Sequence, residues 1–299
     1  MNLIEKIKKQ LLVYRYRYWQ HKDKTMTEYL VNLKIMPIEE TVDYIVKNKC
    51  SCSRYGDGEF LVMSGRHNGF QKVDGKLAQR LRDAFVNPVQ DLLVCIPTFM
   101  TDVKPFVLNS QLTGLGFNHS LLKEIVMPNV PTDRTYGDSL FTRFYMNRKD
   151  KSKTGTYVQL LKSLWDKQDL LIVEGQYSRL GVGNDLFDNA ISIKRILCPA
   201  ENAFNKYDDI IASIKLNHKG ELIILAVGMT ATVLAYDLAK EGLRALDLGH
   251  IDIEYEWFRM GATEKCPVPS KTMSEVAGGR LNSDLDNSEY NAQIIDRIE

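Results

Sequence analysis

Short apolar runs alternate with helix-patterned segments over most of this chain, and that alternation decides its fold class. Residues 91–97, 169–175 and 221–227 are too short for buried helices and are bounded by proline, glycine or charged residues, so they are predicted as strands. Residues 50–55, 191–198 and 245–248 complete the set. Between them, residues 76–86, 157–165, 203–216 and 231–240 carry apolar positions at helical spacing, and Gly242 is placed to end the last of these. A further helical region spans 26–48, with Pro37 near a helix start. A short helix is expected near residues 186–190, and Gly137 is expected to make a turn that opens a helix at Leu140.

Strands separated by helices require crossover connections, and crossovers give parallel pairing. The predicted fold is therefore α/β, a Rossmann-like and mostly parallel sheet with helices on both faces, plus an N-terminal helical extension. With 44% apolar and 26% charged residues, the 299-residue chain has the composition of an ordinary globular protein with a full core. The division expected is a basic helix over residues 1–26 and a single domain over 27–299. The tail after Gly261 shows no clear core pattern.

The first segment differs from the rest in charge. Residues 1–24 hold seven Lys or Arg against Glu5 and Asp23, a net of +5, which leaves −4 for the remainder of a chain whose total is +1. Ile4, Ile7, Leu11, Tyr14 and Tyr18 follow helical spacing there, as in an interfacial helix. A helix packed on its own domain, or one forming a homodimer, accounts for the pattern equally well. No apolar run has the roughly 20 residues of a membrane span, and the start lacks the form of a signal peptide. The near-neutral total gives no field for nucleic acid. Five cysteines with no Cys-x-x-Cys pair suggest buried free thiols and a cytoplasmic setting, with contact at the inner membrane face through the basic helix.

In open parallel sheets, ligands bind beyond the carboxyl ends of the strands. Arg54, Asp57 and Glu59 follow the first strand, Glu174 and Arg179 another, Gly228 and Thr230 a third, and His250, Asp252 and Glu254 the last. Asp57 and Glu59 flank Gly58. If extended, they face one side and suit a hard divalent cation such as Mg or Mn; alone, the pair fits an ordinary turn better. Gly228 and Thr230 precede a helix whose free amides suit a phosphate, though Thr230 serves as well for a plain cap. Asp138 has the same alternative. His250, Asp252 and Glu254 share one face if that segment is extended.

Several segments in order resemble the GT-D-type glycosyltransferases of bacteria, including those that modify streptococcal serine-rich adhesins. They are Arg54-Tyr55-Gly56-Asp57-Gly58-Glu59, Tyr136-Gly137-Asp138-Ser139, the run from Ser178 to Asp185, and the run from Gly249 to Trp257. The resemblance covers residues 49–260 and leaves the basic helix outside. It implies a UDP-sugar donor, most often UDP-glucose, and a divalent metal. The family's Asp-x-Glu motif falls on Asp57 and Glu59, which would hold Mn or Mg and, through it, the donor diphosphate. His250 is inferred here as a further metal ligand. Arg54, Gly56, Asp57, Asp138, Ser139, Arg143, Glu174, Arg179, Gly228 and Thr230 are the expected nucleotide-sugar contacts, with Asp252 and Glu254 as candidates for the base. The acceptor would be a glycan, a glycoprotein or a lipid-linked sugar. Two rivals stand beside this reading: a Rossmann methyltransferase, which needs no metal pair, and a sugar-nucleotide-binding scaffold that consumes nothing.

Overall fold

The computed structural model describes residues 3–67, 71–273, 275–281 and 283–299, so Met1 and Asn2 of the expected first segment lie outside the described residues. Among the described residues nine strands form one sheet: β1 (Lys34–Ile35), β2 (Ser51–Arg54), β3 (Leu92–Ile96), β4 (Thr135–Asp138), β5 (Asp169–Gly175), β6 (Ser192–Cys198), β7 (Leu222–Ala226), β8 (Ala245–Asp247) and β9 (Ile294–Arg297). Their order across the sheet is β1-β4-β3-β2-β8-β7-β5-β6-β9. Every pairing is parallel.

Because side chains alternate along a strand, each central strand feeds two cores. Leu171, Val173, Ile223 and Leu225 face one, under the helices Lys24–Asn32, Gly75–Val86, Tyr207–Asn217 and Thr230–Lys240. Leu170, Ile172, Leu222 and Ile224 face the other, under Ile38–Asn48, Thr154–Lys162 and Ile251–Arg259. Burial on both faces is why these strands are continuous apolar runs. Four cysteines, Cys50, Cys52, Cys95 and Cys198, are buried, Cys266 is half-buried, and all five are free thiols.

The structure departs from the sequence reading in several places, beginning with β1, which interrupts the helical region expected over 26–48. Gly137 lies within β4 and makes no turn. A Cβ there would come 2.6 Å from Cys95 Sγ and 2.9 Å from Thr41 Cγ2, so the glycine lets the helix Ile38–Asn48 sit against the sheet. The helix expected from Leu140 is a 3-10 turn, Ser139–Thr142. Residues 186–190 form turns and no helix. The patternless tail supplies the edge strand β9, the helix Ser288–Gln293, and the core residues Val268 and Met273. Finally, Asp57–Met63 and Ile251–Arg259 are helices, so neither Asp57 with Glu59 nor His250 with Asp252 and Glu254 lies along extended chain.

The first helix, Leu3–Lys22, docks on the helix Leu108–Leu121. Val13 is its one buried residue, set against Val103 and Leu115. Trp19 stacks on His119 at 5.0 Å, and Lys9 Nζ donates to Asn109 Oδ1 at 3.0 Å.

Candidate active site at the β2–β8 crevice

β2 and β8 are neighbours, but the chain leaving β2 turns to β3 on one side, while the chain leaving β8 ends in β9 at the far edge of the other. Such a switch point opens a crevice at the strand ends. Arg54, the last residue of β2, and Asp247, the last of β8, bridge it. Arg54 Nη2 lies 3.1 Å from Asp247 Oδ1, Nε donates to the Asp247 carbonyl at 2.8 Å, and Nη1 donates to the Ser139 carbonyl at 3.1 Å. Thr232 donates to Asp247 Oδ2 at 3.2 Å. Burial pushes the Asp247 carboxyl up, and Arg54 opposes that. Gly249 makes the bridge possible. It has φ +44°, and a Cβ there would lie 1.9 Å from Arg54 Nη2.

Around this strut stand the groups that can meet a ligand. Asp57 and Glu59 occupy the first turn of the helix Asp57–Met63. Glu59 Oε2 accepts the Gly56 amide at 2.7 Å, which closes the turn. Burial pushes the Glu59 carboxyl up to about 7, with Asp247 adding to the effect. Asp57 is exposed. Arg143 Nη1 lies 2.5 Å from Glu275 Oε1. Burial works against the charge on Arg143, but Glu275, Glu254 and Asp57 outweigh it and raise its pKa. Glu275 also pairs with Lys265, and its Oε1 lies 3.1 Å from His250 Nε2. Against burial, Arg143 and Lys265 hold Glu275 well below the carboxylate range. Burial first, then Arg143, pushes His250 down to about 3, so its ring is neutral at physiological pH. Beside Glu275 a hollow of ≈ 340 Å³ is lined by Val276, Ala277, Gly278 and Arg280.

Several polar atoms here are buried and have no hydrogen-bond partner among the described residues. They are Ser53 Oγ, Ser139 Oγ, Thr142 Oγ1, Thr230 Oγ1 and Glu254 Oε1. Each such atom costs about 1–3 kcal/mol if nothing completes it. They sit on the elements that end at or next to the crevice, where a polar ligand or water would satisfy them. Thr230 is not a cap. It is the first residue of Thr230–Lys240, and no side chain closes that helix N-terminus. Gly228, with φ +58°, makes the turn into it.

Other expected contacts have structural partners. Asp138 accepts from the Thr98 amide and hydroxyl, the Leu140 amide and Arg148 Nη2, so its capping role is the one observed. Glu174 is fully buried, 2.6 Å from Arg195 Nη1, and accepts the Leu180 amide at 2.7 Å. Arg179 donates to the carbonyls of Ser270 (2.9 Å) and Ser283, and its Nε has no partner. Asp252 lies 2.5 Å from Lys271 Nζ and accepts from Asn184 Nδ2 at 2.7 Å. Glu254 Oε2 takes the Tyr145 and Met146 amides at 2.9 and 2.8 Å, and only Oε1 stays uncommitted. Burial pushes the Glu254 carboxyl up, with Arg143 opposing.

A divalent cation is tested by the same geometry. Among the described residues, no three of His, Cys, Asp and Glu come together as a metal cage. The set Asp57, Glu59 and His250 is therefore not assembled, because the helical turn points Glu59 Oε2 at the Gly56 amide and His250 lies against Glu275. Asp57 and Glu59 still fit Mg or Mn bound in the usual shared way, by one or two carboxylates with substrate phosphates completing the shell. Burial and the nearby Asp247 raise the Glu59 carboxyl, and a bound cation would act against both.

Sequence reading missed Asp247, Glu275, Lys265 and Lys271. An acid inside the apolar run Ala245-Leu246-Asp247-Leu248 was a usable signal for the first. The others lie in the patternless tail, which offers none.

A family model for the glycosyltransferase GT-D fold matches residues 52–276. A probable glycosyl transferase Gly of Streptococcus gordonii is 37% identical over 265 residues, 88% of this chain and 38% of that protein. Glycosyltransferase GlyD of Streptococcus pneumoniae is 38% identical over 89% of this chain and 33% of its own length. The chain thus spans only about a third of the length of either. Among solved structures, the domain of unknown function 1792, described as having a distinct glycosyltransferase fold, superposes with a TM-score of 0.85 at 39% identity, covering 90% of this chain and 97% of that one. A glycosyltransferase from Streptococcus sanguinis gives 0.84 at 37%, covering 89% and 100%.

Proposed function

This chain belongs to the family of glycosyltransferases with the GT-D fold, and from that premise we propose that it moves a hexose, glucose before others, from a UDP-sugar to a glycan, glycoprotein or lipid-linked acceptor with Mn or Mg. The observation that carries this reading is the set of unpartnered buried polar atoms on the elements around the β2–β8 crevice. A methyltransferase has no use for the paired acids beside it, and a scaffold that binds the donor without consuming it is told apart by turnover.

The residues divide the work as follows. The donor diphosphate lies at the N-terminus of Thr230–Lys240, where the free amides and the Thr230 hydroxyl meet its oxygens. Arg143, kept charged by the acids around it, faces the charge that grows on the diphosphate as the anomeric C–O bond breaks. Asp57 and Glu59 would hold the divalent cation, which when bound neutralises the leaving diphosphate as a Lewis acid. Arg54 and Asp247 fix the spacing of β2 and β8, and so of the acids relative to Gly249 and His250. Of the two candidate bases, Glu254 keeps a free buried oxygen and a raised pKa, both suited to taking the acceptor's proton. Asp252 is committed to Lys271 and Asn184.

A panel of nucleotide sugars incubated with the protein and Mn tests this, with released nucleoside diphosphate as the readout. UDP from UDP-glucose is expected above the other donors. Release from no donor, with or without acceptor glycans, would leave only the scaffold.

A further inference from the structure

The helix Leu3–Lys22 turns two opposite faces to its surroundings. Lys9, Val13, Tyr16 and Gln20 meet the domain, through Asn109, Val103 with Leu115, His119 and Asn118. At about 100° per residue, Ile4, Ile7, Leu11, Tyr14 and Tyr18 lie on the far side. All five are exposed, with Ile4 at 66% and Leu11 at 61%. On that side, Lys8, Arg15 and Lys22 flank the stripe along one edge, while Lys6 and Arg17 lie between its other edge and the domain. The helix's one acid, Glu5, is paired with Lys9 at 2.9 Å and belongs to the inner side. The outer face is therefore apolar along its centre, basic along one edge and free of acids.

We infer that this face docks the enzyme on an anionic lipid surface, with the helix lying flat at the headgroups. The charge pattern selects that occupant. A second copy of the chain would bring a further set of basic residues to a face that offers no acid to pair with them. An anionic bilayer matches the basic edge and accepts the apolar stripe beside it. The two tyrosines suit the interface, with an apolar ring to bury and a hydroxyl left to water. Twenty residues make the contact about 30 Å long. The domain is already fixed to the inner face of the helix, so the whole enzyme is held at the surface.

The inference does not depend on which sugar is moved, and its test separates the two questions. The whole chain is sedimented with phosphatidylcholine vesicles and with vesicles that also contain phosphatidylglycerol. Binding is expected to the second kind only, and to weaken as salt is raised. Leu11→Glu should lower it about tenfold or more, and Lys8→Gln with Arg15→Gln about fivefold for each charge removed. Because these side chains are exposed, each variant should keep the wild-type melting temperature and its UDP release on a soluble acceptor. Equal binding to both kinds of vesicle, or binding to neither, would overturn the inference. So would self-association that Leu11→Glu abolishes in a chain that ignores vesicles, since that assigns the face to a second copy.

Discussion

Gly249→Ala probes the strut that shapes the crevice. The new methyl would sit 1.9 Å from Arg54 Nη2, well inside contact distance, so the guanidinium must move. Moving it lengthens the 3.1 Å approach of Nη2 to Asp247, a side chain only 4% exposed. Leaving a buried ion pair broken costs about 3–5 kcal/mol. The low end applies here, because Arg54 Nε can keep the Asp247 carbonyl at 2.8 Å. Alanine at φ +44° adds about 1 kcal/mol of backbone strain. The sum is about 4 kcal/mol, or about 8 °C in melting temperature for a chain this long. Thermal melting of four proteins tests it: wild type, Gly249→Ala, Arg54→Ala and the double variant. With Arg54 already truncated there is nothing to displace, so the glycine change should then cost only the strain, about 1 kcal/mol. Equal cost in both backgrounds would refute the contact between Gly249 and Arg54.

Glu254→Gln should keep an oxygen for the Tyr145 and Met146 amides, melt nearly as wild type, and lose about 100-fold in kcat as a missing base; near-normal turnover would remove Glu254 from that role. Asp252→Asn should behave in the opposite way, with a melting temperature several degrees lower and kcat within a few fold, because it weakens the pair with Lys271; Lys271→Met should melt early as well. Against the burial that would raise it, Lys194 Nζ at 2.8 Å and the Lys219 amide hold the Glu221 carboxyl down to about 2. Its folded pKa is below the unfolded one, so its stabilising effect is present above about pH 4.5 and is lost as pH falls towards 2. Urea midpoints of wild type and Glu221→Gln should therefore differ at neutral pH and converge through that window, and a constant gap would contradict the shift.

Periodicity made the layered sheet legible because strands buried on both faces must be apolar throughout, as residues 169–175 are. It did not show β9 or β1, since edge strands bury less and leave a weaker pattern. The acids after the strands were legible as a group, but their orientations were not. Glycine at 56 and 58 is compatible with extended chain and with a helix start alike, and the structure takes the helix, with Glu59 turned back onto the Gly56 amide. Strand-end position alone did not separate ligand-facing from structural charges. Glu174 and Arg195 form a buried pair across neighbouring strands, and nothing local in the sequence at Glu174 announces a partner at Arg195. Glu275 reaches Arg143 and His250 from the far end of the chain, a convergence visible only in three dimensions.

The claim that sugar transfer takes place at the β2–β8 crevice is tested most directly by UDP release from UDP-glucose. Wild type and Asp57→Asn are compared in Mn, in excess chelator, and after Mn is restored. Asp57 is exposed, so the variant should fold and melt as wild type does. Wild type should release UDP in Mn, stop in chelator and recover with Mn, while Asp57→Asn stays about 100-fold or more below the wild-type rate in Mn throughout. Undiminished release by Asp57→Asn, or full release in chelator, would contradict the placement of the reaction beside the helix Asp57–Met63.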